Sequence, residues 1–169
     1  MKKLMMIALV AVGIMSASAA TYNWETSLGD GYDGMTWYVV NGTGVANLTS
    51  LLATSGDIAG FQTAIAAYGS NVQTGTFEAG WGGWQDGSFS DAADTVFLFV
   101  TDSLTAGSTF YYSAELSTAA YQYTPPSGSP GSLSITTVTS GTIANVPEPT
   151  SGLLMLIGFA GLALRRRRA

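Results

Sequence analysis

The hydrophobic and polar positions of this chain change period several times, and each change predicts an element. Thr21 to Glu25 sets Tyr22 and Trp24 on one side of a short alternating run, which predicts a first strand. Gly29 to Gly34 breaks that pattern and predicts a turn, because Gly supplies positive φ and Asp bonds its neighbouring backbone. Met35 to Val40 (MTWYVV) is β-branched and aromatic and predicts a second strand, closed by Asn41-Gly42, a pair suited to a tight turn. The period then turns helical. Val45, Leu48, Leu51 and Leu52 share one face, as do Ile58, Phe61, Ile65 and Tyr68. Helices are expected over Val45 to Ala53 and Ile58 to Tyr68, with Asp57 as N-cap and Gly69 as stop for the second.

After Gly69 the β period returns. Val72 to Gly80 alternates loosely, Gly80-Trp81-Gly82-Gly83-Trp84 reads as an aromatic loop or bulge, and Gln85 to Asp94 as a polar Gly/Ser-rich stretch. Thr95 to Thr101 (TVFLFVT) is apolar on both faces and belongs at the centre of a sheet. Thr109 to Leu116 is its expected antiparallel partner, beyond a turn at Asp102 to Gly107. Tyr123 to Gly131 reads as a linker or long loop, and Leu133 to Ile143 as one last alternating edge strand. The expected fold class is mainly β, of α+β type. It is a small antiparallel sheet or sandwich with a short helical pair inserted after the second strand, plus a C-terminal transmembrane helix. The expected organisation is a globular β-rich domain over 21–124, then a Gly/Ser/Pro/Thr-rich linker and edge strand over 125–145.

Two uniformly apolar runs flank this body. At the start, Lys2 and Lys3 precede Leu4 to Met15, and small residues follow. That order is a secretory signal peptide over 1–20, cleaved after Ala19 or Ala20, and it implies the Sec translocon as a partner. A core helix would not account for the small-residue exit. At the end, Ser151 to Leu164 is uncharged and carries Leu153, Leu154, Leu156, Ile157, Phe159, Leu162 and Leu164. As a helix it would span roughly 21 Å, short of the roughly 30 Å hydrocarbon core. Arg165, Arg166, Arg167 and Arg168 follow directly. Four adjacent cations do not enter a core but do sit at a cytoplasmic membrane face, so the run is expected to be an inner-membrane anchor with an arginine stop. The weaker alternative is a solvated basic tail on a soluble helix. Before the run, Pro147 and Pro149 fix their own φ and push Val146 and Glu148 toward extended backbone, a shape an enzyme can grip as a strand.

Charge sharpens the division. The net charge of −5 conceals that all six basic residues are Lys2, Lys3 and Arg165 to Arg168, while all eleven acidic residues lie between Glu25 and Glu148. The stretch between the two ends has no cation to set against phosphate, which excludes nucleic acid as a partner. There is no Cys and no His in the chain, so disulfides, thiol chemistry, a Ser-His-Asp triad and a His/Cys zinc site are all closed. No catalytic residue is predicted, and the protein is expected not to be an enzyme. The remaining carboxylate chemistry is a glycosidase pair of Glu78 with Asp86, Asp91 or Asp94, ranked lowest because such residues in Gly/Ser loops are usually turn formers. No cofactor is expected beyond a weak calcium candidate at Asp30 and Asp33, with Asp86, Asp91 and Asp94 as a second group. Trp81 and Trp84, with Tyr111, Tyr112, Tyr121 and Tyr123, are candidates for an aromatic platform binding an extracellular polysaccharide, weighed against a plain core role. Asn41-Gly-Thr43 and Asn47-Leu-Thr49 match the N-glycosylation pattern.

The last 24 residues, Val146 to Ala169, place Pro147-Glu148-Pro149, the apolar span and the arginine block in one order. This closely resembles the PEP-CTERM sorting signal of bacterial exported proteins. The resemblance implies an exosortase, a membrane-embedded processing enzyme, as partner, with cutting near Val146, Pro147, Glu148 and Pro149. It implies a protein that is briefly held in the inner membrane and then reaches the cell surface or extracellular matrix. It implies nothing about the middle of the chain.

Overall fold

A computed structural model describes residues 19–145, together with 155–157 and 159. Its strands are β1 (Tyr22–Ser27), β2 (Thr36–Asn41), β3 (Val72–Thr76), β4 (Trp84–Phe89), β5 (Thr95–Thr101), β6 (Thr109–Tyr112), β7 (Leu116–Ser117), β8 (Ser132–Ile135) and β9 (Thr139–Thr142). Helices α1 (Val45–Ala53) and α2 (Ile58–Ala67) lie between β2 and β3. The larger sheet has the order β3-β2-β5-β6-β9, with β7 also beside β5, and its pairs are antiparallel. The smaller sheet is β4-β1-β8, with β1 antiparallel to β4 and parallel to β8.

The double-faced apolar pattern of β5 fixes the layering. Successive strand side chains point to opposite faces. Val96, Leu98 and Val100, with Trp37 and Val39 of β2, meet Tyr22, Trp24, Phe89, Leu133 and Ile135 of the smaller sheet. Phe97 and Phe99, with Val40 and Phe110, meet Leu48 and Leu52 of α1 and Phe61 and Ile65 of α2. The body is therefore three layers, sheet on sheet on helix pair, with one core on each side of β5.

The helices form where the periodicity places them. Asp57 accepts a hydrogen bond from the Gly60 N–H at 2.8 Å and caps α2. Gly69 ends the helical stretch at φ +57°, in the left-handed region that favours glycine. Helix α1 has no cap of its own. The Glu115 carboxylate, at a distant position in the chain, accepts from the N–H groups of Gly44 and Val45 at 2.7 and 3.1 Å. Asp57→Ala removes a local cap and is expected to cost about 1 kcal/mol. Thermal denaturation should show this as a fall in Tm of roughly 3–5 °C.

Several local readings change or gain definition. Strand β4 starts at Trp84, the last residue of the expected aromatic loop, and runs into the polar Gly/Ser-rich stretch as far as Phe89. Leu133 to Ile143 divides into two strands, β8 in the smaller sheet and β9 in the larger. Thr109 to Leu116 divides into β6 and β7 at Ser113, whose hydroxyl accepts from the Leu98 N–H at 2.9 Å and so carries the ladder across the break. Asn41 ends β2 as a buried residue, and the chain bends at Gly42 and Thr43 before entering α1.

Glycines explain why the edges were hard to read. Trp24 lies opposite Gly87, Trp37 opposite Gly75 and Phe110 opposite Gly141, on edge strands β4, β3 and β9 respectively. In each pair the aromatic ring occupies the space a side chain would need. A Cβ on Gly87 would stand 2.6 Å from Trp24 Cζ2, and one on Gly75 2.7 Å from Trp37 Cζ2. The bulk that normally marks a strand is thus on the neighbouring strand.

Among the described residues no helix is long and apolar enough to cross a membrane. Most of the expected anchor over 151–164 lies outside the described residues. Leu156, Ile157 and Phe159 are helical and exposed.

Candidate functional site

Within residues 19–145, Trp81 and Trp84 are the exposed large hydrophobic side chains, at 57% and 37% of full exposure. Every other one is buried or half-buried. Their position follows from the loop Gly80-Trp81-Gly82-Gly83. Gly80, Gly82 and Gly83 have φ of +82°, +63° and +62°, which turns the chain tightly and lifts Trp81 away from the body. The Trp81 N–H donates to the Glu78 carbonyl at 3.3 Å, and the Trp84 N–H to the Trp81 carbonyl at 3.2 Å. The indoles stand 5.6 Å apart between centroids, with planes 31° from parallel, so they touch without forming one flat plate.

A second loop pins the first. The Gly29 N–H donates to the Gly82 carbonyl at 2.6 Å, and the Gly80 N–H to Asp33 Oδ2 at 2.7 Å. The Thr26 hydroxyl donates to the Gly83 carbonyl at 3.0 Å. Gly83 lies so close to Leu28 and Gly29 that a Cβ would stand 3.1 and 3.2 Å from their nearest atoms. The tryptophans therefore sit on a braced support, which lowers the ordering cost of any ligand they hold.

Trp84 opens the outer face of the smaller sheet. Register pairs it with Ser27, and alternation carries the same face through Asp86 and Ser88 on β4, Glu25 and Asn23 on β1, and Ser132 and Ser134 on β8. This face is polar and contains no cation. Glu25 and Asp86 are direct cross-strand neighbours. A shallow depression of about 310 Å³ lies beside them, bordered by Asn23, Asp86, Ser88 and Ser132.

The other candidates disperse. Asp30 and Asp33 flank the bracing loop, where Asp33 Oδ2 holds Gly80 and Oδ1 has no hydrogen-bond partner. Asp91 and Asp94 serve through their carbonyls, which accept from Asn41 Nδ2 and the Thr118 N–H. Glu78 opens the tryptophan loop. Among the described residues no three acidic side chains are grouped to hold a metal ion. Tyr111 and Tyr121 pack on the inter-sheet core and Tyr112 on the helix-side core, while Tyr123 bridges to Thr21 through its backbone, so none of the four joins the tryptophan pair. Asn41 is 3% exposed, and its amide is committed to Asn71 and Asp91, which removes it as a sugar acceptor; Asn47 is exposed on α1. Sequence reasoning passed over Asn23, Glu25 and Ser88, which period-2 alternation around buried Tyr22, Trp24 and Phe89 would have placed on the outer face.

The sorting candidates Val146, Pro147, Glu148 and Pro149 lie outside the described residues, as do Leu153, Leu154, Leu162, Leu164 and Arg165 to Arg168. At the other end Ala19 is exposed, and the Ala20 carbonyl accepts from the Ala92 N–H at 2.9 Å.

Residues 145–168 match a family model described as the PEP-CTERM protein-sorting motif. The chain carries that motif, which implies export and an exosortase-type processing partner at the membrane. No curated protein and no solved structure matches the chain.

Proposed function

We propose that this is an exported, non-enzymatic protein of the cell surface or extracellular matrix, delivered by its N-terminal signal and released or re-anchored by cutting near Pro147-Glu148-Pro149. The match of residues 145–168 to the sorting motif carries the reading. The basic residues at the two ends support it, because both ends then keep their charges on the cytoplasmic side while the acidic body crosses. Cleavage after Ala19 would retain, and cleavage after Ala20 would remove, the carbonyl that accepts from the Ala92 N–H.

Mass spectrometry of the mature protein, from cells with an exosortase-type enzyme, tests the reading. The wild-type exported form should lack Arg165 to Ala169. A variant with Pro147→Ala and Pro149→Ala should accumulate uncut in the membrane fraction. An exported, mature wild-type chain that still ends in the arginine block would overturn it.

A second reading concerns what the body does once outside. The braced, exposed pair Trp81 and Trp84 favours carbohydrate binding, because indole faces hold the apolar faces of sugar rings while leaving the hydroxyls to polar neighbours.

A further inference from the structure

Resting on that carbohydrate reading, we infer that the binding site is the whole outer face of the smaller sheet, and that its ligand is an uncharged polysaccharide chain running from Trp81 and Trp84 over Asp86 and Glu25 toward Asn23 and Ser88.

Three observations carry this. The first is continuity. Trp84, Asp86 and Ser88 are alternate residues of one strand and stand on one face, with Glu25 and Asn23 directly across from Asp86 and Ser88. An aromatic pair at one end of a row of carboxylate, amide and hydroxyl groups suits a chain of rings, with stacking at the entrance and hydrogen bonds beyond.

The second is charge. Neighbouring carboxylates on adjacent strands repel, and no Lys, Arg or His lies between Leu4 and Leu164 to offset them. An anionic ligand would add to that repulsion. This argues against uronate chains, phosphorylated glycans and anionic lipid surfaces. A neutral sugar hydroxyl, by contrast, donates well to a carboxylate.

The third is the braced support. Clamps from Gly29, Asp33 and Thr26 hold the tryptophan loop before any ligand arrives. The 31° angle between the indoles suits successive rings of a twisting chain better than a flat crystalline surface.

The test uses the mature chain with cellohexaose, xylohexaose and mannohexaose, their disaccharides, and a polygalacturonate hexamer as charged control, read by calorimetry. At least one neutral hexasaccharide should bind, its disaccharide more weakly, and the polygalacturonate not at all. Trp81→Ala with Trp84→Ala should weaken both lengths by about thirtyfold or more. Asn23→Ala with Asp86→Ala should weaken the hexasaccharide about tenfold while leaving the disaccharide unchanged. Trp81, Trp84 and Asp86 are exposed and Asn23 is half-buried, its Nδ2 donating to Ser129 Oγ at 3.2 Å, so melting temperatures measured alongside will show that the variants fold. If no neutral sugar binds, the carbohydrate reading and the inference both fall. If sugar binds through the tryptophans with no dependence on chain length or on Asn23 and Asp86, the reading stands and the inference falls. If the tryptophan variant instead abolishes dimerisation or vesicle binding, and no sugar binds, another occupant owns the face and the inference is overturned.

Discussion

Trp24→Ala is expected to destabilise the folded body by about 3–5 kcal/mol, the range for deleting a large aromatic from a core. Trp24 is fully buried and meets Trp37 edge-on at 5.6 Å between centroids. Its Nε1 donates to Gln73 Oε1 at 3.2 Å, which ties the smaller sheet to β3 of the larger. Its ring also covers Gly87, so truncation uncovers backbone on the edge strand as well as opening a cavity. Since domains of this size are stable by only about 5–15 kcal/mol, urea denaturation should show a strongly lowered midpoint. A loss under about 1 kcal/mol would mean that the two sheets are not held together as described.

Asn41→Leu is expected to cost about 3–5 kcal/mol, although leucine keeps the branching of asparagine. Asn41 Oδ1 accepts from the Tyr22 hydroxyl at 3.1 Å and from the Ala93 N–H at 2.9 Å. Its Nδ2 donates to Asn71 Oδ1 at 3.2 Å and to the Asp91 carbonyl. Leucine leaves all four groups without that partner. The same site gives the body an alkaline limit. Burial pushes the Tyr22 hydroxyl well above the ordinary tyrosine range, and burial also raises Tyr38 and Tyr68. A raised pKa means the folded state keeps the proton that the unfolded chain gives up. The contribution is therefore complete below about pH 10, the unfolded value, and lost as pH rises beyond it. Denaturation curves at pH 8 and pH 11 should show this loss, and Tyr22→Phe should reduce it.

Much of this body was legible because its strongest signals were local. The helical spacing of Leu48, Leu52, Phe61 and Ile65 and the cap at Asp57 are set by residues a few positions apart. The run at Thr95 to Thr101 announced a central strand because both of its faces are apolar. The edges were not legible for the opposite reason. Gly75, Gly87 and Gly141 read as weak points in isolation, and the rings that cover them belong to other strands. Leu133 and Ile143 looked like parts of one alternating strand, but they serve different cores. The site was half legible. The tryptophans were visible, since Gly80, Gly82 and Gly83 advertise a loop. That they continue into the polar face of β1 and β4 depends on the register between two distant segments, which no short window of sequence contains.

The way the body ends has a mechanical consequence. The Ile143 N–H donates to the Ser108 carbonyl and its own carbonyl accepts from the Gly107 N–H, both at 2.9 Å, while the Ala144 N–H donates to the Leu52 carbonyl at 2.8 Å. Ile143 is buried, and the sorting motif begins at residue 145. Fully stretched, the three residues from Ala144 to Pro147 reach only about 10 Å, so an enzyme that gripped the Pro-Glu-Pro would work close to the folded surface. Under the proposed re-anchoring, a pull on an attached C-terminus would reach Ala144 and Ile143 over that short span. Its first resistance would be the seat of Ile143 in the core with Leu48 and Leu52 of α1.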